Sequence, residues 1–254
     1  LIMTKALHSI ELVSTRLPSY LANNCRYRKM AIQKRRPTYK DHFTDDYNKA
    51  LLKWESAAQG ILSRLTNERK ERILRYSENG AIFLYREIDF IAEHSPEQLV
   101  FCEIKLKQRY NSSLGCKASG WRQLDKSLAI AKQRFQDISG LAICVDMSWV
   151  YGIDSAATDN DYLTFSDIKS HIDSAAVSKN TIWLSSRELS GLAIKFGLLK
   201  PDDVIHMKEL FMAFLNPLST IEDFPYAPNY AFGSLVNLKN NLPANFDGSS
   251  FANV

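Results

Sequence analysis

The chain has 254 residues, 45% of them hydrophobic and 24% charged, with a net charge of +4. That balance fits a soluble globular protein that buries its own core, as one large domain or two small ones. No stretch approaches the roughly 18 apolar residues of a bilayer span, and Lys5, His8 and Glu11 interrupt the N-terminal apolar run, so neither a membrane span nor a secretory leader is expected.

Cys25, Cys102, Cys116 and Cys144 make no CxxC pair, and the five histidines make no HxxxH spacing. This argues against a disulfide scaffold or a zinc site and for a reducing, cytoplasmic setting. The chain opens on Leu1, as a fragment of a longer protein would.

In chain order, residues 1–43 read as a basic N-terminal arm, partly helical or irregular. Residues 1–40 hold nine basic residues and one acid, so they carry +8 and the rest of the chain carries −4. Arg26, Arg28, Lys29, Lys34, Arg35 and Arg36 cluster there with Tyr27 and Tyr39 interleaved. Phosphate attraction and a solvated arm are both open readings of such a cluster. Thr44, followed by Asp45 and Asp46, predicts a helix start, and Leu51, Trp54, Ala58, Leu62 and Leu65 recur at helical spacing to about Thr66. Asn79-Gly80 between β-rich flanks predicts a hairpin of strands 71–77 and 81–92. LVFCEIKL is a third strand, and 107–118 is a polar loop. Ser119 can cap a second helix with the stripe Trp121, Leu124, Leu128, Ala131 and Phe135. Gly140 ends a turn, and LAICVDMSWVYG is a buried strand. The order α-β-β-β-α-β predicts an α/β fold with a core over 44–151. An extension over 152–216 packs on it, with TIWLSS as a fifth strand, a helix over 187–199 and a helix that Pro201 opens and Leu215 closes. Residues 217–254 read as a loose tail.

The chemistry concentrates on the third strand. Glu103 and Lys105 are two apart, about 6.6 Å along one strand face, together with Leu99 and Phe101. Val100, Cys102, Ile104 and Leu106 form the wholly apolar opposite face. Asp89 ends the preceding strand, so three charges converge if the two strands pair. Two close carboxylates repel unless a divalent cation lies between them, and an all-oxygen site selects Mg²⁺, with Mn²⁺ as substitute. Such a cation neutralises a phosphodiester and acidifies a water, and the Lys105 ammonium can stabilise developing charge. Glu87 alternates onto the face of Asp89 and either joins the metal or pairs with Lys105. Asp146 is a second-shell group or a strand-end turn residue. Lys107 is a solvated or phosphate-contacting charge. The four tryptophans read as core.

Asp89, thirteen residues, then Glu103-Ile104-Lys105, inside YREIDFIAEHSPEQLVFCEIKLK, resembles the PD-(D/E)xK nuclease superfamily and the EIDxI…VFxExK block of its small bacterial members. The resemblance runs from about Thr44 to Tyr151, and Ile88 stands where the motif has proline. It implies a restriction-endonuclease-like αβββαβ core, a central mixed sheet flanked by helices, here with helical C-terminal additions. It also implies a first-helix glutamate in the metal site, matched by Glu55, and a glutamine or lysine at the start of the following helix, matched by Gln123. On a helical wheel Glu55 lies about 20° from Leu62, near the buried edge. Read without the resemblance, Glu55 is equally a partner of Lys53 or Arg86, and Gln123 a solvated helix residue.

The implied activity is Mg²⁺-dependent hydrolysis of phosphodiester bonds in DNA by an endonuclease. Asp89, Glu103, Glu55 and the Ile104 carbonyl hold the metal, Lys105 serves the attacking water, Gln123 positions the phosphate or the glutamate, and the basic arm and Lys107 contact DNA. Nucleases of this fold often dimerise to cut both strands, so a homodimer is admitted. The alternative is a catalytically silent nuclease-fold module that binds nucleic acid or a partner protein. A third reading is an unrelated α/β domain with an accidental ExK.

Overall fold

The computed structural model describes residues 6–23, 39–114, 120–174 and 181–215. Its elements are β1 (Ser9–Val13), α1 (Pro18–Asn23), α2 (Tyr39–Leu65), β2 (Ile73–Ser77), β3 (Leu84–Glu87), β4 (Phe90–Ser95) and β5 (Gln98–Lys107). They continue with α3 (Trp121–Ala131), β6 (Asp137–Asp146), α4 (Ser148–Tyr151), α5 (Phe165–Asp173), β7 (Ile182–Ser185), α6 (Ser186–Lys195) and α7 (Pro201–Leu215). The fold is α/β with helices flanking a mixed four-stranded sheet of order β4-β5-β6-β7, beside a three-stranded antiparallel sheet of order β1-β2-β3. In the larger sheet β4 runs antiparallel to β5, whereas β5, β6 and β7 are parallel.

Strand β5 shows why the sheet is covered on both faces. Val100, Cys102 and Ile104 pack into one core with Trp54, Ala58, Ile61 and Leu62 of α2 and with residues of α5, α6 and α7. Leu99 and Phe101 pack into a second core with Trp121, Leu124, Leu128 and Ala131 of α3, and with Leu74 of β2. Burying both apolar faces is the main stabilising term, at about 25 cal/mol per Å² of apolar surface removed from water. Trp54, Trp121 and Trp183 are buried, as the core reading expects.

Several expectations are corrected. The 1–43 segment contains strand β1, paired antiparallel with β2 from Ser9↔Ser77 to Val13↔Ile73. Helix α2 begins at Tyr39, so Thr44 lies inside it. A capping hydroxyl satisfies one backbone N–H, whereas an added helical turn satisfies several. The expected strand 81–92 is two strands in different sheets, broken at Ile88 and Asp89. Its start is turn: the Asn79 Oδ1 accepts hydrogen bonds from the N–H groups of Ala81 (3.0 Å) and Ile82 (3.2 Å), which takes them out of the ladder.

Gly140 lies inside β6 rather than in a turn. A Cβ there would stand 2.7 Å from Leu128 Cδ1, so glycine lets α3 lie close on the sheet. Strand β6 stops at Asp146, and 148–151 is helix rather than strand. Helix α5 was not expected; Thr164 caps it by accepting from the Asp167 N–H. The strand at Ile182–Ser185 and the helix opened by Pro201 stand where the sequence places them, and β7 joins the same sheet as β5 and β6. Ser119, the tail 217–254 and the cluster of Arg26, Arg28, Lys29, Lys34, Arg35 and Arg36 lie outside the described residues. No helix among the described residues is long and apolar enough to cross a membrane.

Candidate active site

The break between β3 and β4 builds the site. Strand β4 first pairs with β5 at Phe90↔Cys102, so β5 runs on past its neighbour. Asp89 fills that edge: its Oδ2 accepts a hydrogen bond from the Ile104 N–H at 2.8 Å, in place of the next ladder bond. Glu103 and Lys105 project from β5 on the α3 side, and the Lys105 ammonium bonds Glu103 Oε1 and lies 4.0 Å from Asp89 Oδ2. Asp89, Glu103 and Lys105 therefore converge.

Glycine closes the α3 side. Gly120 is the N-cap of α3 at φ 91°, and a Cβ on it would stand 2.6 Å from Glu103 Cγ and 3.3 Å from Lys105 Cε. Only glycine takes this backbone conformation without strain and leaves room for Glu103. The first turn of α3 is thereby set against both side chains.

The electrostatics are strained towards a cation. Burial pushes the Glu103 carboxyl up to about 7, reinforced by Asp89 and opposed by Lys105. Asp89 is also raised, first by burial and then by Glu87, against the pull of Lys105 and the Ile104 N–H. Burial acts to lower Lys105, but Asp89, Glu103 and Glu55 outweigh it, so the ammonium holds its proton above the ordinary lysine range. Glu55 and Glu87 add negative field to this group, and Lys105 and Arg72 add positive field. The carboxylate oxygens of Asp89 and Glu103 are the donor type that a hard divalent cation takes. Among the described residues, no group of three or more His, Cys, Asp and Glu side chains is clustered so as to hold a metal ion.

The other candidates distribute as follows. Glu55 projects half-buried from α2, its field raises both Glu103 and Lys105, and its Oε1 lies 3.5 Å from Gln59 Nε2. Lys53 pairs with Asp203 at 2.6 Å, and Arg86 bonds Ser127 Oγ and the Gln123 carbonyl, both at 3.1 Å. Gln123 stands in the first turn of α3 with its side chain exposed. Lys107 is half-buried at the end of β5. Glu87 turns away from Lys105: it accepts from the Tyr20 hydroxyl at 2.7 Å and lies 3.8 Å from Arg72 Nη2. Asp146 is a strand-end turn residue, accepting from the Ser148 N–H at 2.8 Å and from the hydroxyls of Ser155 (2.7 Å) and Tyr162 (2.6 Å).

Sequence reasoning missed Arg72, Gln59 and Gly120. Arg72 donates to the Asp89 carbonyl and, at 3.1 Å, to Gln59 Oε1. A glycine directly before a helix-period stripe was the one available signal for Gly120. No protein-family model, curated protein or solved structure matches the chain.

Proposed function

We propose that this chain is a Mg²⁺-dependent nuclease of the PD-(D/E)xK type, with a restriction-endonuclease-like core, that hydrolyses phosphodiester bonds in DNA as an endonuclease. The observation that carries the proposal is the meeting of Asp89, Glu103 and Lys105 at the strand break, with both carboxyls raised by burial. Asp89 and Glu103 hold the cation, with the Ile104 carbonyl, and Glu55 orients a bound water from α2. When bound, the cation neutralises the scissile phosphate and acidifies an attacking water.

Lys105 stays protonated and donates hydrogen bonds rather than acting as the base, because its neighbours hold it charged, so the attacking water gives its proton to solvent and the leaving oxygen takes one from solvent. Lys105 steers the water and stabilises the charge that builds on the phosphoryl oxygens as the water oxygen bonds to phosphorus and the ester oxygen leaves. Gln123, at the start of α3, positions the phosphate. Lys107 and the basic residues between 26 and 36 supply sequence-independent attraction for the DNA backbone.

One observation favours the silent-module reading. The Lys105 ammonium already bonds Glu103, and among the described residues no three His, Cys, Asp or Glu side chains are grouped so as to hold a metal ion. Incubation of supercoiled, linear, single-stranded and branched DNA with Mg²⁺, Mn²⁺ or EDTA, beside a mobility-shift assay, separates the two. Metal-dependent nicking that EDTA stops is the expected result. Shifted but uncut DNA with either metal makes the chain a binding module, and neither shift nor cleavage overturns both.

A further inference from the structure

We infer that Arg72 and Gln59 form a positioning bridge that fixes Asp89 and Glu55 relative to each other, and through them the cation site. The inference rests on the nuclease reading for the identity of the cation. Asp89 belongs to neither sheet, so its main chain lacks the ladder that holds its neighbours. Arg72 replaces that ladder twice. Its own carbonyl accepts from the Ile88 N–H at 2.9 Å, and its guanidinium donates to the Asp89 carbonyl.

The same Nη1 donates to Gln59 Oε1 at 3.1 Å, which leaves the Gln59 amide nitrogen facing Glu55 Oε1 at 3.5 Å. The second nitrogen of the fork, Nη2, lies 3.8 Å from Glu87. One side chain thus ties the bend that carries Asp89 to the helix that carries Glu55, across the gap a cation would span. An arginine present only to satisfy the carbonyl at the break would need no partner on α2. A planar fork with five donors can hold a carbonyl, an amide and a carboxylate at fixed angles, and a lysine ammonium cannot.

The test is calorimetric titration of Mg²⁺ and of Mn²⁺ into the folded full chain, its Arg72→Gln, Arg72→Lys and Gln59→Leu variants, with melting curves alongside. Arg72→Gln should weaken metal binding about 10–100-fold, as loss of a ligand-orienting group does. Single-turnover cleavage at saturating Mg²⁺ should fall by no more than about threefold, because the loss lies in metal affinity. Arg72→Lys keeps the charge without the fork and should recover only part of the affinity. Gln59→Leu, which leaves the strand break intact, should lose about three- to tenfold. Arg72→Gln binding metal within about twofold of wild type, or full recovery in Arg72→Lys, overturns the bridge. If Arg72→Gln does not fold, unchanged affinity in Gln59→Leu overturns it instead. A folded wild-type chain that binds neither metal overturns the nuclease reading and the inference with it, whereas metal binding that ignores both positions overturns the inference alone.

Discussion

Strands β5 and β6 lie side by side and each carries one buried acid, Glu103 within β5 and Asp146 at the end of β6, and the two are accommodated in opposite ways. At the end of β6, Asp146 is 1% exposed and is completed by an amide N–H and two hydroxyls. Within β5, Glu103 is 5% exposed, shares one ammonium with Asp89, and faces the fields of Asp89 and Glu55. Burying a charge is tolerable when neutral donors or counter-charges complete it. The β6 end is completed by the chain itself and works as a turn. Glu103 on β5 has no neutral donor completing it, only the ammonium it shares with Asp89, and on the nuclease reading that difference separates a site from a structural carboxylate.

The comparison breaks most visibly by mutation at β5. Asp89→Ala or Glu103→Ala should lower metal-dependent cleavage by about 10³-fold; the melting temperature of the metal-free chain holds or rises in Glu103→Ala, since repulsion leaves with the carboxylate, and falls in Asp89→Ala, which strands the Ile104 N–H. Single-turnover rates and melting curves check this, and a variant that keeps wild-type rate ends the assignment. Asp146→Ala should do the reverse. It strands the Ser148 N–H and two hydroxyls, costs about 3 kcal/mol of stability, and leaves metal affinity unchanged in calorimetry.

The sharpest reading is in pH. Glu103 has its ordinary 4.5 when unfolded and about 7 when folded, so between those values the native state holds the proton more tightly. Stability of the metal-free chain should therefore fall as pH rises from about 4.5 to 7, by about 3 kcal/mol, and level off above. Asp89, also raised, adds in the same direction. Denaturant titrations across that range check it, and Glu103→Gln should flatten the curve.

The parts of the molecule legible in the sequence are those whose signal is local. The stripe from Leu51 to Leu65, the alternation along LVFCEIKL and the proline that opens α7 each record their own burial, and the structure keeps them. The convergence of Asp89, Glu103 and Lys105 was legible because strand pairing turns a sequence interval into a distance. Strand β1 was not, because SIELV is half-buried at every position and is defined by its partner β2. The break at Ile88-Asp89 was hidden for a related reason. EIDFIAE has the composition of one strand, and only the competition of two sheets for its halves divides it. Arg72 carried no pattern at all, since its role depends on a bend that the sequence does not announce.

The bond between the Lys105 ammonium and Glu103 has a consequence for how the site fills. The pocket does not wait as bare negative charge; it carries its own counter-ion on a tether. On the nuclease reading, an arriving Mg²⁺ takes a place that an ammonium already neutralises in part, so loading is an ion exchange rather than a simple addition. The displaced ammonium cannot diffuse away. On that reading its four-carbon stem would let it reach the edge of the site, where it could meet a phosphate.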